Sequence, residues 1–73
     1  MKIISKNLNK AVIYYNNEFY LVSEANNEFT DFQQETLIFR CNPVGEVSDW
    51  GEIGGGKYVS LDEVLNNIIK YIY

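Results

Sequence analysis

The sequence predicts a small α+β domain in which an antiparallel sheet of three to four strands packs on one C-terminal amphipathic helix. Three observations predict this fold: two β-prone runs joined by a pair of asparagines, a further run of alternating hydrophobicity, and an apolar stripe of helical period near the C-terminus. At 73 residues the chain is long enough for a single domain, which we place over residues 1–73. Its hydrophobic content of 47% is too high for a disordered chain.

The best-defined β element is a hairpin that turns at Asn16 and Asn17. The flanking runs, residues 11–15 and 18–23, are rich in β-branched and aromatic residues, and a shorter β-prone segment spans residues 2–5. Asparagine enters the left-handed region more readily than most residues, as a two-residue hairpin turn requires. Such a turn divides the side chains between two faces, one with Val12, Tyr14, Phe19 and Leu21 and the other with Ile13, Tyr15, Tyr20 and Val22.

Both faces of this hairpin are largely apolar, although a single helix covers only one face of a sheet. We therefore expect the uncovered face to bind another molecule, and this expectation fails if the chain's own loops cover that face. The tyrosines of the hairpin and of the C-terminus form either an aromatic patch of the kind enriched at interfaces or rings packed along their own sheet. These tyrosines are Tyr15, Tyr20, Tyr71 and Tyr73.

Residues 35–41 form the next predicted strand, because their hydrophobicity alternates. One face of this strand carries Leu37, Phe39 and Cys41, and the other carries Thr36, Ile38 and Arg40. Before the strand, residues 26–34 are expected to form a loop with two phenylalanine anchors. After it, residues 42–45 (NPVG) predict a β-turn, residues 46–47 a short strand fragment and residues 54–56 (GGG) a flexible link.

The C-terminal helix is predicted to begin at the N-cap Ser60. Glu63 completes a capping box with it, and Val59 and Val64 have the spacing of a hydrophobic staple. The apolar stripe expected to face the sheet consists of Leu61, Val64, Leu65, Ile68, Ile69 and Ile72. The opposite face carries Asp62, Glu63, Asn66, Asn67 and Lys70.

The titratable residues argue against catalysis and metal binding. Histidine is absent, which removes the commonest general base and a common zinc ligand, and Cys41 is the only cysteine. A nucleophilic Cys41 would lack a histidine partner, and a zinc site would need three carboxylates beside it. We therefore expect no enzyme activity, no metal and no cofactor, and the lone thiol indicates a reducing, cytoplasmic location.

Charge is unevenly distributed along the chain. Residues 1–10 carry three lysines and no acid, whereas residues 18–63 carry all ten acidic residues against Arg40 and Lys57, a net charge of −8. The overall charge of −4 disfavours nucleic-acid binding, because phosphates are repelled. The acidic excess is either a solvated surface that keeps the protein soluble or a face that meets a basic groove on a partner.

An acidic cluster surrounds the single tryptophan. Glu46, Asp49 and Glu52 lie close to Trp50 in sequence, without the spacing of a calcium-binding EF-hand loop. The cluster is either a solvated loop, in which Asp49 accepts backbone hydrogen bonds, or a pair of carboxylates for acid–base chemistry or a hard cation. Trp50 is either a core residue or an exposed binding anchor.

Three blocks resemble a pattern found in small uncharacterised bacteriophage and prophage proteins. These are residues 35–39 (ETLIF), 42–45 (NPVG) and 46–53 (EVSDWGEI), which with the capped helix match a strand–turn–GEVxDW–helix pattern over about half of the chain. The resemblance implies the same fold and a phage context. Proteins of this size in that context often bind and inhibit a host protein, including defence nucleases such as the targets of anti-CRISPR proteins. The pattern supplies no catalytic residues.

The expected function is therefore that of a small non-enzymatic protein that binds and inhibits a host protein through an acidic and aromatic surface. The residues expected to contact the partner are Tyr15, Tyr20, Glu46, Asp49, Trp50 and Glu52. One alternative is a self-association domain of a mobile element that forms a homodimer, and another is a small hydrolase or nuclease that uses carboxylates and a metal. We expect a host or phage protein as the partner, no membrane association and no direct nucleic-acid contact.

Overall fold

The computed structural model describes residues 1–26 and 34–73, which form an antiparallel sheet followed by two short helices. The strands are β1 (Lys2–Lys6), β2 (Lys10–Tyr15), β3 (Glu18–Asn26), β4 (Gln34–Arg40) and β5 (Gly54–Lys57), and the helices are α1 (Leu61–Asn66) and α2 (Ile68–Tyr71). The order in the sheet is β1-β2-β3-β4-β5, so neighbours in sequence are neighbours in space. The α+β class is confirmed, but the described ranges contain five strands and two helices, where three to four strands and one helix were predicted.

The β2–β3 hairpin has the predicted turn and register. Asn16 and Asn17 have φ values of 52° and 69°, which is the left-handed pair of a two-residue type I′ turn. Tyr15 pairs with Glu18, and the same register continues along both strands. The predicted division of side chains between two faces follows from this register. The loop expected at residues 26–34 lies outside the described residues, except for the two end residues, which belong to β3 and β4.

The two helices cover one face of the sheet, which we call the helix side. The core on this side comprises Ala11, Ile13, Tyr20, Val22, Ile38, Leu61, Val64, Leu65 and Ile68. Ser60 is the N-cap of α1 as predicted, since its hydroxyl accepts a hydrogen bond from the Glu63 N–H at 3.1 Å. The sheet supplies a second cap, because Oε2 of Glu24 on β3 accepts a hydrogen bond from the Leu61 N–H at 2.6 Å.

The predicted single helix is interrupted at Asn67. The backbone there has φ −136° and ψ 43°, far from helical values, and Asn67 is both the C-cap of α1 and the N-cap of α2. The prediction that Ile69 faces the sheet is therefore wrong, since its side chain is 78% exposed. Ile68, from the same predicted stripe, is buried as predicted. A change of direction at one residue rotates the remaining stripe away from the position that a continuous helix would give it.

The glycine run predicted as a flexible link is the edge strand β5, so that prediction is wrong. β5 pairs with β4, and Gly54 also bridges to Ile72 beyond α2. A Cβ atom on Gly55 would lie 2.1 Å from the carbonyl oxygen of Thr36, and Gly55 has φ +120°. The absence of side chains therefore allows the backbone of β5 to approach β4 and the C-terminus closely.

The other face, which we call the reverse side, is covered in its centre by the β4–β5 loop, residues 41–53. Val12, Leu21 and Phe39 are only 6–8% exposed, and Val47 of the loop packs on this cluster. The expectation that this face is left uncovered is therefore wrong for its centre. The prediction of a short strand at residues 46–47 is also wrong, since these two residues form no strand in the structure. Any recognition surface on the reverse side must then be built largely by the loop itself.

Candidate functional site

The first half of the β4–β5 loop is held in shape by Asn42. The predicted turn is present, since the Gly45 N–H donates to the Asn42 carbonyl at 2.9 Å. Oδ1 of Asn42 accepts hydrogen bonds from the N–H groups of Val44 (3.1 Å) and Glu46 (2.9 Å). Its Nδ2 donates to Oε1 of Glu46 at 2.8 Å. One asparagine side chain therefore fixes the loop backbone and the direction of one acidic side chain.

Trp50 is held by the sheet but presented to solvent. Its ring meets that of Phe39 edge-on, with centroids 5.0 Å apart and planes at 71°. The residue is nevertheless 65% exposed. Of the two alternatives left open by the sequence, the exposed position is the one observed. The neighbouring Asp49 accepts a hydrogen bond from the Gly51 N–H at 2.9 Å, which is the turn contact expected for it.

Three acidic residues lie close to this tryptophan in the sequence of the loop. Glu46, Asp49 and Glu52 are all exposed, and Trp50 lies among them in sequence. We call these four residues the acidic–aromatic surface. Within the described ranges, no group of three histidine, cysteine, aspartate or glutamate residues is placed to hold a metal ion. The loop thus exposes an aromatic ring and three acidic side chains, which suits contact with another molecule.

An open groove of about 470 Å³ lies beside Trp50 on the reverse side. Val12 and Leu21 contribute to its floor, and Trp50 forms part of the wall on the loop side. Lys6 and Lys10, from the two sides of the β1–β2 turn, contribute to the lining as well. No local sequence pattern links these lysines with Trp50, because they lie about 40 positions away from it. These residues line one groove only because β1, β2 and the loop lie next to one another in the fold.

The two tyrosines expected at the partner surface lie on the helix side, away from Trp50. Tyr15 is half-buried and packs against the helix-side core, and Tyr20 is 6% exposed. The Tyr20 hydroxyl donates to Oε2 of Glu18 at 2.9 Å, and Glu18 also pairs with Nε of Arg40 at 3.3 Å. Burial and the hydrogen bond to Glu18 raise the pKa of Tyr20. Of the six predicted residues, the two tyrosines therefore lie on the helix side, and the other four belong to the β4–β5 loop.

A second hollow, of about 450 Å³, contains the free Cys41. Arg40, Asn42 and Glu46 also line it. Burial raises the pKa of the Cys41 thiol, so the protonated form is favoured. A reactive cysteine needs the thiolate, which a raised pKa disfavours. The raised pKa of Cys41 therefore gives no support to nucleophilic chemistry at this thiol.

Comparison of the chain with protein-family models, with curated proteins and with solved structures found no match. In the parts of the chain that the structure describes, neither helix is long and apolar enough to cross a membrane.

Proposed function

We propose that the chain is a non-enzymatic protein-binding module whose contact surface is the acidic–aromatic surface of the β4–β5 loop. The observation that carries this proposal is the position of Trp50, which is 65% exposed although Phe39 holds its ring edge-on. Tryptophan is enriched among the residues that dominate binding energy at protein interfaces. A ring that is already oriented loses little conformational entropy when a partner covers it.

The exposed acidic residues of the loop support a basic partner. Glu46, Asp49 and Glu52 favour a partner with lysine or arginine residues around an apolar pocket that accepts the indole ring. Such charges mainly increase the rate of encounter and exclude acidic competitors. The resemblance of residues 35–53 to phage proteins makes a protein of the host cell the proposed partner, and inhibition by occlusion the proposed effect.

The test is capture of partners from host lysate with matched variants. We expect Trp50→Ala to lose the partner, and the triple charge reversal of Glu46, Asp49 and Glu52 to lysine to lose it too. Ile69→Ala is the matched control, because Ile69 is an exposed apolar residue on α2, on the opposite side of the sheet. Quantitative mass spectrometry compares the captured proteins, and circular dichroism checks that each variant is folded.

Two outcomes would contradict this function. A set of captured proteins that Trp50→Ala leaves unchanged would remove the loop as the contact surface. A set that Ile69→Ala alone depletes would place the contact on the helix side. If Trp50→Ala loses the partner but the charge-reversal variant retains it, the loop remains the contact surface and its acidic residues have no role in binding.

Self-association through β1 is a second candidate function. All five residues of this edge strand are exposed, including Ile3 and Ile4. Exposed edge strands pair readily with other chains, although β1 is also irregular between Ile3 and Ser5 and carries Lys2 and Lys6, and such features discourage pairing. Light scattering tests this candidate, since a monomer at high micromolar concentration would exclude it.

A further inference from the structure

We propose that the outer edge of β1 accepts an extended acidic segment of a partner protein as an added strand of the sheet. β1 is no part of the acidic–aromatic surface, so this inference goes beyond the proposed function and does not depend on it. It gives the chain a second interaction surface, which prefers the opposite charge in its partner.

The two edges of the sheet are covered to different extents. At β5, Gly54 bridges to Ile72, and the Tyr73 N–H donates to the Ile53 carbonyl at 2.9 Å, so the C-terminus covers part of that edge. At β1, the only strand that pairs with it in the described part of the chain is β2. The outer edge of β1 therefore presents unpaired backbone N–H and C=O groups, which are the groups that an added strand uses.

β1 is accessible from both faces as well as from its edge. All five of its residues are exposed, and two of them, Ile3 and Ile4, are apolar and β-branched. A strand beside β1 would cover part of both side chains and could place its own β-branched residues against them, which stabilises a pair of strands. The edge therefore offers an apolar contribution in addition to backbone hydrogen bonds.

The charge of β1 favours an acidic strand. Lys2 and Lys6 lie at its two ends, and residues 1–10 contain no acid. Lys2 pairs with Tyr14 and Lys6 with Ala11. Because Tyr14 and Ala11 are three positions apart on β2, the two lysines lie on opposite faces of the sheet. An added strand carries side chains on both faces, so it can meet both lysines, whereas a ligand on one face would meet only one.

Neither lysine is held in a strong ion pair. Among the described residues, none forms an ion pair with Lys2. Lys6 pairs with Asp62 at 3.4 Å, but both side chains are exposed, and ion pairs between exposed groups are weak. A carboxylate on an added strand can therefore interact with either lysine.

A second copy of the chain fits this edge less well than an acidic strand. In an antiparallel pair of β1 strands centred on Ile4, Lys2 of each copy would lie opposite Lys6 of the other, and like charges directly opposite are destabilising. An aspartate or glutamate opposite the same lysines replaces this repulsion by attraction. The lysines thus act against self-pairing and in favour of an acidic partner, which is how unlike charges create specificity.

The test uses the intact chain and the capped peptide acetyl-Val-Glu-Val-Thr-Glu-Val-amide. Its two glutamates are three positions apart, as Ala11 and Tyr14 are on β2, so they project to opposite faces. Amide chemical shifts follow the titration, and hydrogen exchange measures the protection of the β1 amides. We expect saturable shifts in β1 at millimolar peptide, together with slower exchange of the β1 amides that face outward.

Three matched peptides separate the contributions to binding. Replacing both glutamates by glutamine should weaken binding by about 1.4- to 5-fold for each charge pair lost. Exchanging the threonine with the second glutamate keeps the composition but puts both acids on one face, and should also weaken binding. Methylating the backbone nitrogens of the four central residues keeps the charges but removes hydrogen-bond donors, and should abolish binding.

Matched variants of the chain assign the edge. Lys2→Glu should weaken binding of the glutamate peptide and leave that of the glutamine peptide nearly unchanged. Lys57→Glu makes the same change of charge on β5, the other edge strand, and should have little effect on either peptide. Absence of saturable binding, binding that survives methylation, or equal effects of the two variants would overturn the proposal. Protection of the β1 amides that rises with protein concentration in the absence of peptide would assign the edge to a second copy and overturn it as well.

Discussion

Gly55 shows how strongly a single residue constrains this fold. It has a φ of +120°, and an added Cβ atom would lie 2.1 Å from the backbone oxygen of Thr36. That oxygen belongs to β4, so the clash cannot be relieved by rotating a side chain. Gly51 offers a contrast in the β4–β5 loop, where the nearest atom to an added Cβ is the flexible Oδ1 of Asp49 at 3.3 Å.

We expect Gly55→Ala to lower the free energy of unfolding by roughly 1–3 kcal/mol, because the substitution combines backbone strain with a steric clash. Gly51→Ala is the control and should change it by no more than about 0.5 kcal/mol. Urea denaturation followed by circular dichroism measures both. Equal effects of the two substitutions would contradict the close approach of β5 to β4.

Tyr20 links stability to pH at the residue scale. Burial, followed by the hydrogen bond to Glu18, raises its pKa above the ordinary value for tyrosine. The folded chain therefore holds the phenolic proton more tightly than the unfolded chain does. The resulting stabilisation is complete below the unfolded pKa of about 10 and is lost as the pH rises through the folded pKa.

The Tyr20→Phe variant isolates this contribution, because phenylalanine has no proton to lose. We expect the free energy of unfolding of the natural chain to fall relative to that of the variant above about pH 10. Urea denaturation of both proteins between about pH 8 and pH 11 measures the difference. Curves that stay parallel across this range would show that Tyr20 ionises equally easily in both states.

At the scale of elements, the interruption at Asn67 decides which helical residues are buried. The sequence places Ile68 and Ile69 on the same apolar stripe of a continuous helix. In the structure, Ile68 is 7% exposed and Ile69 is 78% exposed. The Asn67 amide donates to both the backbone oxygen and Oε2 of Glu63, at 3.1 and 2.7 Å, which stabilises the interruption.

A pair of substitutions distinguishes the interrupted helix from a continuous one. Ile68→Ala should destabilise the fold by about 2–5 kcal/mol, because it leaves a cavity in the helix-side core. Ile69→Ala should change stability by no more than about 0.5 kcal/mol, because its side chain is in solvent. Thermal unfolding compares the two variants. A large loss in Ile69→Ala would indicate a continuous helix.

At the scale of the whole molecule, the sheet carries a cluster of buried residues on each side. The helices complete the larger one, and the β4–β5 loop completes the smaller one, made of Val12, Leu21 and Phe39. A domain of this size has a total stability of roughly 4–11 kcal/mol. Each element that covers the sheet therefore carries a large share of the stability.

Leu65→Ala tests this dependence on the helix-side core. Leu65 is 5% exposed, so the substitution should cost about 2–5 kcal/mol and leave a visible fraction of unfolded chain at room temperature. Leu8→Ala, at a residue that is 95% exposed, should have no comparable effect. Near-native stability of Leu65→Ala in urea would show that the helices contribute little to the fold.

Local interactions account for the features that were predictable from the sequence. The Asn16–Asn17 turn sets the register of the hairpin, alternation separates the two faces of β4, and Ser60 caps α1 through a hydroxyl three residues from its partner. The turn at residues 42–45 is determined in the same way, by contacts between residues a few positions apart in the sequence. Each of these features is decided by backbone preferences and short-range hydrogen bonds.

Tertiary contacts decided the rest. The glycine run becomes a strand because residues from β4 and the C-terminus pack against its bare backbone, and the loop covers the reverse side because Val47 and Trp50 meet Phe39. The groove joins Lys6 and Lys10 to Trp50, which are about 40 positions apart. No local pattern encodes such contacts, because their free energy arises only when distant segments exclude water from each other.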